Sequence, residues 1–226
     1  MLKKIGVPII ISIAAEKDSK EFVALTRRID QIKEISAIEL NISCPNIKDT
    51  KTQRHKDTRL IAQDFEATYN LVKAVRQVTQ KTLITKLSPN VTDITEIALA
   101  SEKAGSDAIS LVNTFSAMSI DVNTRKPRIA TITAGLSGPA IRPIAVRMVW
   151  EVYQKIKIPI IGMGGIMDTP SALEFFIAGA TVIIFVTANF INPKVSAEII
   201  EGIKKYLQKN KINSIQKLIG SLQCKI

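Results

Sequence analysis

The stretch IELNISCPN, at residues 38–46, combines an apolar run with a cluster of polar residues that ends at a proline-containing turn. Its beginning predicts a buried strand, because only Glu39 interrupts the apolar run that contains Ile38 and Leu40. Pro45 cannot continue a strand, and it restricts the residue before it, so a turn is predicted there. The end of this strand therefore gathers two amides, a hydroxyl and a thiol, from Asn41, Ser43, Cys44 and Asn46.

A buried structural role is the usual interpretation of an isolated cysteine, since free cysteine is among the most buried residue types. An apolar niche around Cys44 would also have to accommodate the flanking amides and the hydroxyl. These neighbours favour a functional site at Cys44.

Short apolar runs alternate with helical patterns along the whole chain. The predicted strands are residues 7–14, 37–42, 83–87, 108–112, 158–162 and 181–186. Nearly continuous apolar strands separated by helices are typical of a parallel sheet covered by helices. No linker or low-complexity segment divides the sequence, so we predict one α/β domain over residues 1–226. An eight-stranded barrel takes about 250 residues, so the pattern leaves open a choice between an open sheet and an incomplete barrel.

The helices are predicted from apolar residues at helical spacing. One begins at Asp18, with Glu21 at capping-box spacing, and a second begins at about Asp57. A third covers residues 93–104 and ends at Gly105. Later helices are predicted around residues 141–152, at 193–208 and at 214–222. Another follows the Gly164–Gly165 pair, with Pro170 in its first turn and Gly179 after its last. In the first two helices the predicted core-facing residues are Phe22, Leu25, Ile29, Ile32, Ile61, Phe65, Val72 and Val75.

The composition limits the classes of partner. The net charge of +11 is compatible with a nucleic-acid surface, but aromatic residues make up only 5% of the chain and do not alternate with basic ones. Nucleic-acid binding is therefore not indicated. Cys44 and Cys224 provide no disulfide framework, which favours the cytoplasm. No apolar run reaches the roughly 18 residues of a membrane span, so no membrane partner is predicted.

Other strand ends also carry polar residues. Lys86 lies near the end of the third predicted strand. If its side chain is buried, it needs an anion or an electron-rich group as a partner; the alternative is a lysine whose ammonium group reaches the surface. Asn113 and Thr114 follow the fourth strand. Gly164 and Gly165 follow the fifth and are predicted to open a helix that binds phosphate, while tight packing alone would also need glycines. His55, in a charged loop, is interpreted as a solvated residue.

Several long motifs make the chain resemble the class 1B dihydroorotate dehydrogenases. They occur in that family's order: IELNISCPNIK, ITKLSPNVTDITEIA, DAISLVNT, AGLSGPAIRPIA, IPIIGMGGI and TANF. The resemblance implies a TIM (β/α)8 barrel that holds FMN and oxidises dihydroorotate to orotate in pyrimidine biosynthesis. It also implies a partner subunit, with FAD and an iron–sulfur cluster, that passes electrons to NAD, and hence a homo- or hetero-oligomer.

The same resemblance implies roles for individual residues. Cys44 matches the catalytic base that removes the C5 proton of dihydroorotate, which a loop thiol with some thiolate character can do. Lys86 matches the lysine that contacts the isoalloxazine ring. The substrate-binding positions are Asn41, Asn46, Asn113 and Thr114, and the remaining cofactor-binding positions are Gly138, Gly164, Gly165 and Thr187.

The sequence also departs from the family pattern. Its first residue aligns just before the family's third strand, so the barrel is expected to be incomplete, with about six strands present and the first two missing. Residues 49–54 replace glycines expected after Cys44, and Ala134 and Val186 stand at positions where glycine is expected. We therefore expect FMN binding by the chain alone to be weak. A truncated or degraded copy of the enzyme, a tRNA-dihydrouridine synthase-like flavoenzyme and a non-catalytic remnant stay as alternatives.

Overall fold

The computed structural model describes residues 6–15, 19–43 and 61–224. The chain divides into two compact units. Unit 1 comprises Met1–Ser110 and Ile156–Pro159, and unit 2 comprises Leu111–Lys155 and Ile160–Ile226. Cys44, Asn46 and His55, for which the sequence suggested roles, lie outside the described residues, as do the predicted helix starts at Asp18 and Asp57.

Unit 1 alternates strands and helices. Its elements are β1 (Ile9–Ile13), α1 (Ser19–Asp30), β2 (Ile35–Asn41), α2 (Phe65–Arg76), β3 (Thr82–Lys86), α3 (Ile94–Lys103) and β4 (Ala108–Leu111), whose last residue belongs to unit 2. β1 pairs with β2, β2 with β3 and β3 with β4, and all three pairings are parallel. The parallel sheet predicted from the apolar runs is confirmed here.

The core of unit 1 explains why these segments form strands and helices. Ile38 and Leu40 on β2 and Leu83 on β3 are fully buried. Phe22 on α1 and Val72 on α2 are equally inaccessible. Burying an aliphatic or aromatic side chain of this size contributes about 1.5–3 kcal/mol, so the apolar stripes of the helices and the strands stabilise each other.

Two predictions for the helices of unit 1 were wrong in detail. Ile32 lies beyond the end of α1 and is 43% exposed, so it is not a core residue. Phe65 is the first residue of α2 and is 40% exposed. α2 begins there because the Asp64 side chain accepts a hydrogen bond from the Ala67 amide, which caps the helix. Asp93 caps α3 in the same way, at the predicted place, by accepting from the Thr95 amide.

Unit 2 begins with two antiparallel strand pairs. β5 (Phe115–Met118) pairs with β8 (Thr133–Leu136), and β6 (Ile120–Asp121) pairs with β7 (Lys126–Pro127). The sequence predicted only a long connection over residues 114–139. Its strands are two to four residues long, which is too short to give a clear period-two pattern.

The rest of unit 2 continues the alternation of helix and strand. Its elements are α4 (Arg142–Tyr153), β9 (Ile160–Met163), α5 (Thr169–Ala178), β10 (Val182–Ile184), α6 (Thr187–Ile191) and α7 (Val195–Lys209). β9 and β10 are parallel. The predicted inward face of α4 is confirmed, with Ile141, Ala145, Met148, Val149 and Val152 all buried.

The six predicted parallel strands are all present, with ends that differ from the prediction by at most two residues. The last predicted helix, at residues 214–222, is reduced to the short 3-10 helix Ile215–Lys217. Among the described residues, none of the helices combines the length and apolar character that crossing a bilayer requires.

Candidate functional site

In unit 1, two predicted site residues lie side by side at the ends of neighbouring strands. Asn41 is the last residue of β2, and it pairs in register with Lys86, the last residue of β3. Lys86 in turn pairs with Ser110 on β4. Residues in register on neighbouring strands project from the same face of a sheet. An amide, an ammonium group and a hydroxyl therefore form a row across one face, with Asn41 and Lys86 half-buried and Ser110 fully buried.

The chain turns directly after Asn41. The Ile42 amide donates to the Leu40 carbonyl oxygen at 3.1 Å, and the buried Ser43 hydroxyl donates to Asn41 Oδ1 at 3.2 Å. This contact holds the Asn41 amide at the end of the strand. Cys44 and Asn46 come next in the chain and are outside the described residues.

Glu39 is a polar residue of this region to which the sequence assigned no role. Its carboxylate is buried, with 7% of the residue exposed. Ser12 Oγ on β1 donates to Glu39 Oε1 at 2.6 Å, and Ser110 Oγ on β4 donates to Oε2 at 2.7 Å. The signal that could have revealed it is the single charge within the apolar run of residues 37–42.

In unit 2, Asn113 and Thr114 follow β4 and are half-buried. The Thr114 amide donates to Asn113 Oδ1 at 2.8 Å. The Thr114 side chain also lies against the backbone of Gly135, where a Cβ atom would overlap its hydroxyl. Gly135, which the sequence did not single out, is therefore the glycine that this contact requires. The neighbouring Ala134, where glycine was expected, sits in the β5–β8 ladder opposite Ala117.

Unit 2 also brings together three of the predicted cofactor glycines, which we call the glycine cluster: Gly138, Gly164 and Gly165. All three have positive φ, at 91°, 132° and 76° respectively, a region that favours glycine. A Cβ atom at Gly165 would lie 2.6 Å from the Gly138 carbonyl oxygen, and one at Gly164 would lie 2.9 Å from Ala145 Cβ. Among the described residues other than its chain neighbours, nothing lies within 4 Å of a Cβ position at Gly138, so space is open on that side although Gly138 itself is buried.

The glycine cluster does not open a helix, which corrects the prediction of a phosphate at a helix N-terminus. α5 begins at Thr169, and its free amides are capped by Asp168, which accepts from the Ser171 amide at 2.9 Å and from the Ser171 hydroxyl at 2.6 Å. These hydrogen bonds, with a smaller contribution from Arg142, hold the pKa of Asp168 below its ordinary value. A carboxylate therefore already occupies the place that an anion would take.

The loop after β10 carries the last predicted cofactor residue, Thr187. β9 and β10 run parallel, with Met163 and Ile184 in register, so the loops after them leave the same end of neighbouring strands. Thr187 is exposed. Val186 is 62% exposed and has a φ of −118°, so the backbone at this position does not require the glycine that the family pattern suggests.

A cavity of about 570 Å³ lies in unit 1 beside the beginnings of α2 and α3. Gln63, Asn90 and Asp93 are among the residues that line it. None of the predicted site residues in the described part of the chain lines it, and the cavity is therefore separate from the row formed by Asn41, Lys86 and Ser110.

Comparison with known proteins agrees with the resemblance seen in the motifs. The dihydroorotate dehydrogenase family profile matches residues 2–207. The chain is 52% identical, over 203 residues, to the dihydroorotate dehydrogenase B (NAD(+)) catalytic subunit of Caldicellulosiruptor saccharolyticus. It is 44% identical, over 221 residues, to the protein of the same name from Geotalea uraniireducens. These alignments cover 90% and 98% of this chain but only 65% and 70% of the two relatives.

A solved structure shows the same fold. The crystal structure of DHODH from Eimeria tenella in complex with ferulenol superposes with a TM-score of 0.72, at 20% sequence identity. The match covers 90% of this chain and 57% of that one. The fold is therefore that of an incomplete α/β barrel of this type, with six parallel strands in the described residues. Together, the family profile and the relatives show that the chain belongs to the dihydroorotate dehydrogenase family.

Proposed function

We propose that the chain is the FMN-dependent catalytic part of a class 1B dihydroorotate dehydrogenase and oxidises dihydroorotate to orotate. The observation that carries this proposal is the row at the strand ends of unit 1, where Asn41 and Lys86 lie in register. Amides offer both donors and acceptors, which suits a planar substrate with carbonyl and N–H groups. An ammonium group beside them suits an electron-rich ring.

The residues of unit 2 fit the phosphate end of FMN. The glycine cluster offers backbone without side chains, half-buried at Gly164 and Gly165 and beside open space at the buried Gly138. Closely approached backbone amides are common phosphate donors. Thr187, on the loop after the neighbouring strand, adds an exposed hydroxyl. FMN, when bound, would accept the hydride released from C6 of dihydroorotate.

The protein's own part in the reaction is to bind, orient and deprotonate the substrate. In this proposal, Asn41, Asn46, Asn113 and Thr114 hold the polar edges of dihydroorotate, and Lys86 contacts the flavin ring. The Cys44 thiolate takes the C5 proton as the C6 hydride leaves, so the two electrons of the C6–H bond leave the substrate and a C5–C6 double bond forms. General-base catalysis of this kind contributes roughly 10²–10⁴-fold.

The proposed partners follow from the relatives named as NAD(+)-linked catalytic subunits. A second subunit, with FAD and an iron–sulfur cluster, would carry the electrons to NAD in a cytoplasmic hetero-oligomer. Neither a nucleic acid nor a membrane is part of the proposed function.

The test is a single-turnover measurement on the purified chain with excess FMN under anaerobic conditions, which needs no partner subunit. Dihydroorotate should bleach the visible flavin band. Cys44→Ala should bind FMN as the wild type does and bleach 10²–10⁴-fold more slowly. Cys224→Ala is the matched control, because Cys224 is the exposed free cysteine of the described residues, and it should behave like the wild type.

The other outcomes separate the alternatives. FMN binding without bleaching by dihydroorotate would contradict the proposed substrate and favour the tRNA-dihydrouridine synthase-like interpretation. Failure to bind FMN even in excess would favour a non-catalytic remnant. Bleaching at the wild-type rate by the Cys44→Ala variant would rule out Cys44 as the base.

A further inference from the structure

Gly135 is a strand residue whose identity the backbone conformation does not explain. It lies on β8 and pairs in register with Ser116 on β5. Unlike the members of the glycine cluster, it does not have a positive φ, so its conformation does not demand glycine. A glycine inside a strand weakens the strand and often marks a place where another group approaches closely. The reason for a glycine at this position therefore lies in what contacts it.

The group that approaches Gly135 is the side chain of Thr114. A Cβ atom on Gly135 would overlap the Thr114 hydroxyl oxygen and would lie 2.6 Å from the Thr114 Cβ atom and 3.1 Å from its methyl carbon. Rotation about χ1 can move the hydroxyl and the methyl group to another staggered position, but it leaves the Thr114 Cβ atom where it is. Any residue larger than glycine at position 135 must therefore displace the Thr114 backbone from β8.

The backbone of Thr114 also holds its neighbour in place. The Thr114 amide donates to Asn113 Oδ1 at 2.8 Å, which fixes the orientation of the Asn113 side chain. Phe115, the next residue along the chain, begins β5 and pairs with Leu136, the residue that follows Gly135. The polar pair of Asn113 and Thr114 is thus attached to β8 by the strand ladder and by the side-chain contact at Gly135.

We propose that Gly135 is a positioning residue for the substrate, because its bare backbone lets β8 lie directly against Thr114 and thereby sets the positions of the Thr114 hydroxyl and the Asn113 amide. The inference rests on the proposed function, in which these two residues hold the polar edges of dihydroorotate. Gly135 acts through Thr114. In enzymes a misplacement of about 1 Å can cost as much as about 10²-fold in rate, so the closeness of this approach matters for the reaction.

The experiment measures the binding of orotate, the product, so that no turnover is needed. Equilibrium dialysis of labelled orotate against the full chain in excess FMN gives the dissociation constant. Gly135→Ala should weaken orotate binding about tenfold, which corresponds to the loss of one hydrogen bond to a charged ligand. The affinity for FMN should change little, because Thr114 and Asn113 are assigned to the substrate and not to the flavin.

Two further variants separate positioning from a general effect on the fold. Ala134→Ser is the matched control, because it adds one heavy atom to the same strand on the opposite face, where Ala134 lies opposite Ala117; it should bind orotate as the wild type does. Thr114→Gly removes all the atoms that a Cβ atom on Gly135 would overlap. In that background Gly135→Ala should cause no further loss of orotate affinity, whereas independent effects would add.

Unchanged orotate affinity in Gly135→Ala would overturn the proposal, and so would an equal loss in the Thr114→Gly background. If Gly135→Ala does not fold, the same comparison is made in the Thr114→Ser background, which keeps the hydroxyl but lacks the methyl group.

A readout without any ligand separates this proposal from the proposed function. In the chain without FMN, labelled on asparagine, the NMR signals of the Asn113 side-chain amide should shift in Gly135→Ala and stay in place in Ala134→Ser. If the wild type binds no orotate, the proposed function fails, while these signals still decide whether Gly135 positions Asn113. An unshifted Asn113 amide in Gly135→Ala would contradict the positioning role.

Discussion

At the scale of single residues, the glycine cluster shows how close approach of the backbone restricts the sequence. Gly165 combines a positive φ with a carbonyl oxygen 2.6 Å from where its Cβ atom would lie. Gly138 has a positive φ but open space around its Cβ position. Both residues have a positive φ, but only Gly165 has an atom close to its Cβ position. Substituting each by alanine therefore distinguishes the cost of backbone strain from the cost of steric overlap.

We predict that Gly138→Ala lowers the free energy of unfolding by about 1 kcal/mol, because only backbone strain is added. Gly165→Ala should cost more, about 3 kcal/mol or above, because the Gly138 carbonyl must also move. Urea unfolding at equilibrium, followed by circular dichroism, measures both variants. An equal decrease in the free energy of unfolding for both variants would show that the loop moves to relieve the overlap at Gly165 without further cost.

At the scale of secondary-structure elements, the beginning of α5 depends on one carboxylate. Asp168 accepts two hydrogen bonds from Ser171, and the Ser171 hydroxyl oxygen in turn accepts from the Asp168 and Met167 amides at 3.0 Å. The helix thus starts at Thr169 and not at the glycine cluster. The glycine cluster remains a loop with backbone groups that α5 does not use.

The pKa of Asp168 makes this cap sensitive to acid. The Ser171 hydrogen bonds, and to a smaller extent Arg142, lower that pKa in the folded protein relative to the unfolded chain. The stabilisation is therefore complete above the unfolded pKa of about 3.9 and is lost as the pH falls through the folded value. We predict that Asp168→Asn, which keeps an acceptor oxygen, shows a smaller loss of stability between pH 5 and pH 2 than the wild type.

Asp168→Ala should cost about 0.5–2 kcal/mol at neutral pH, because the N-cap acceptor itself is lost. Thermal melts across the acid range measure both variants. Wild-type acid dependence in Asp168→Asn would mean that other carboxylates, and not this cap, govern unfolding at low pH.

At the scale of the whole molecule, each unit has a strand with one open side. In the described part of the chain, β1 pairs only with β2 and β10 pairs only with β9. Both strands are rich in β-branched residues, and Ile10 and Val182 are about half exposed, at 51% and 49%. Unpaired apolar strands of this kind are templates for association with other chains.

We therefore predict that the isolated chain self-associates at low micromolar concentration. Val182→Lys should reduce the association, because a charged side chain on an edge strand opposes pairing. Ile200→Lys is the matched control, since Ile200 is similarly exposed, at 56%, but lies on α7. Analytical ultracentrifugation distinguishes the species, and a monodisperse wild-type monomer with a cooperative melt above the usual mesophile range would contradict the prediction.

The sequence by itself determined the parallel strands, most of the helices and the family. These follow from local periodicity, from caps such as Asp93 and from long contiguous motifs, all of which are contained within short stretches of chain. For α5 the sequence was right about the extent of the helix, since Pro170 lies in its first turn and Gly179 follows its last. Its error was to expect phosphate at the helix N-terminus, where the Asp168 side chain accepts from the Ser171 amide.

Only the tertiary structure decided which residues meet. Glu39 accepts hydrogen bonds from Ser12 and Ser110, which are 27 and 71 positions away in the chain. Gly165 lies against Gly138, although the whole of α4 separates them in the sequence. Such contacts depend on the register between strands and on the packing of loops. No local pattern encodes them, because each contact can stabilise the fold only after segments distant in the sequence have come together, at a cost in chain entropy. The two hydrogen bonds of Glu39 could therefore not be read from the apolar run that contains it.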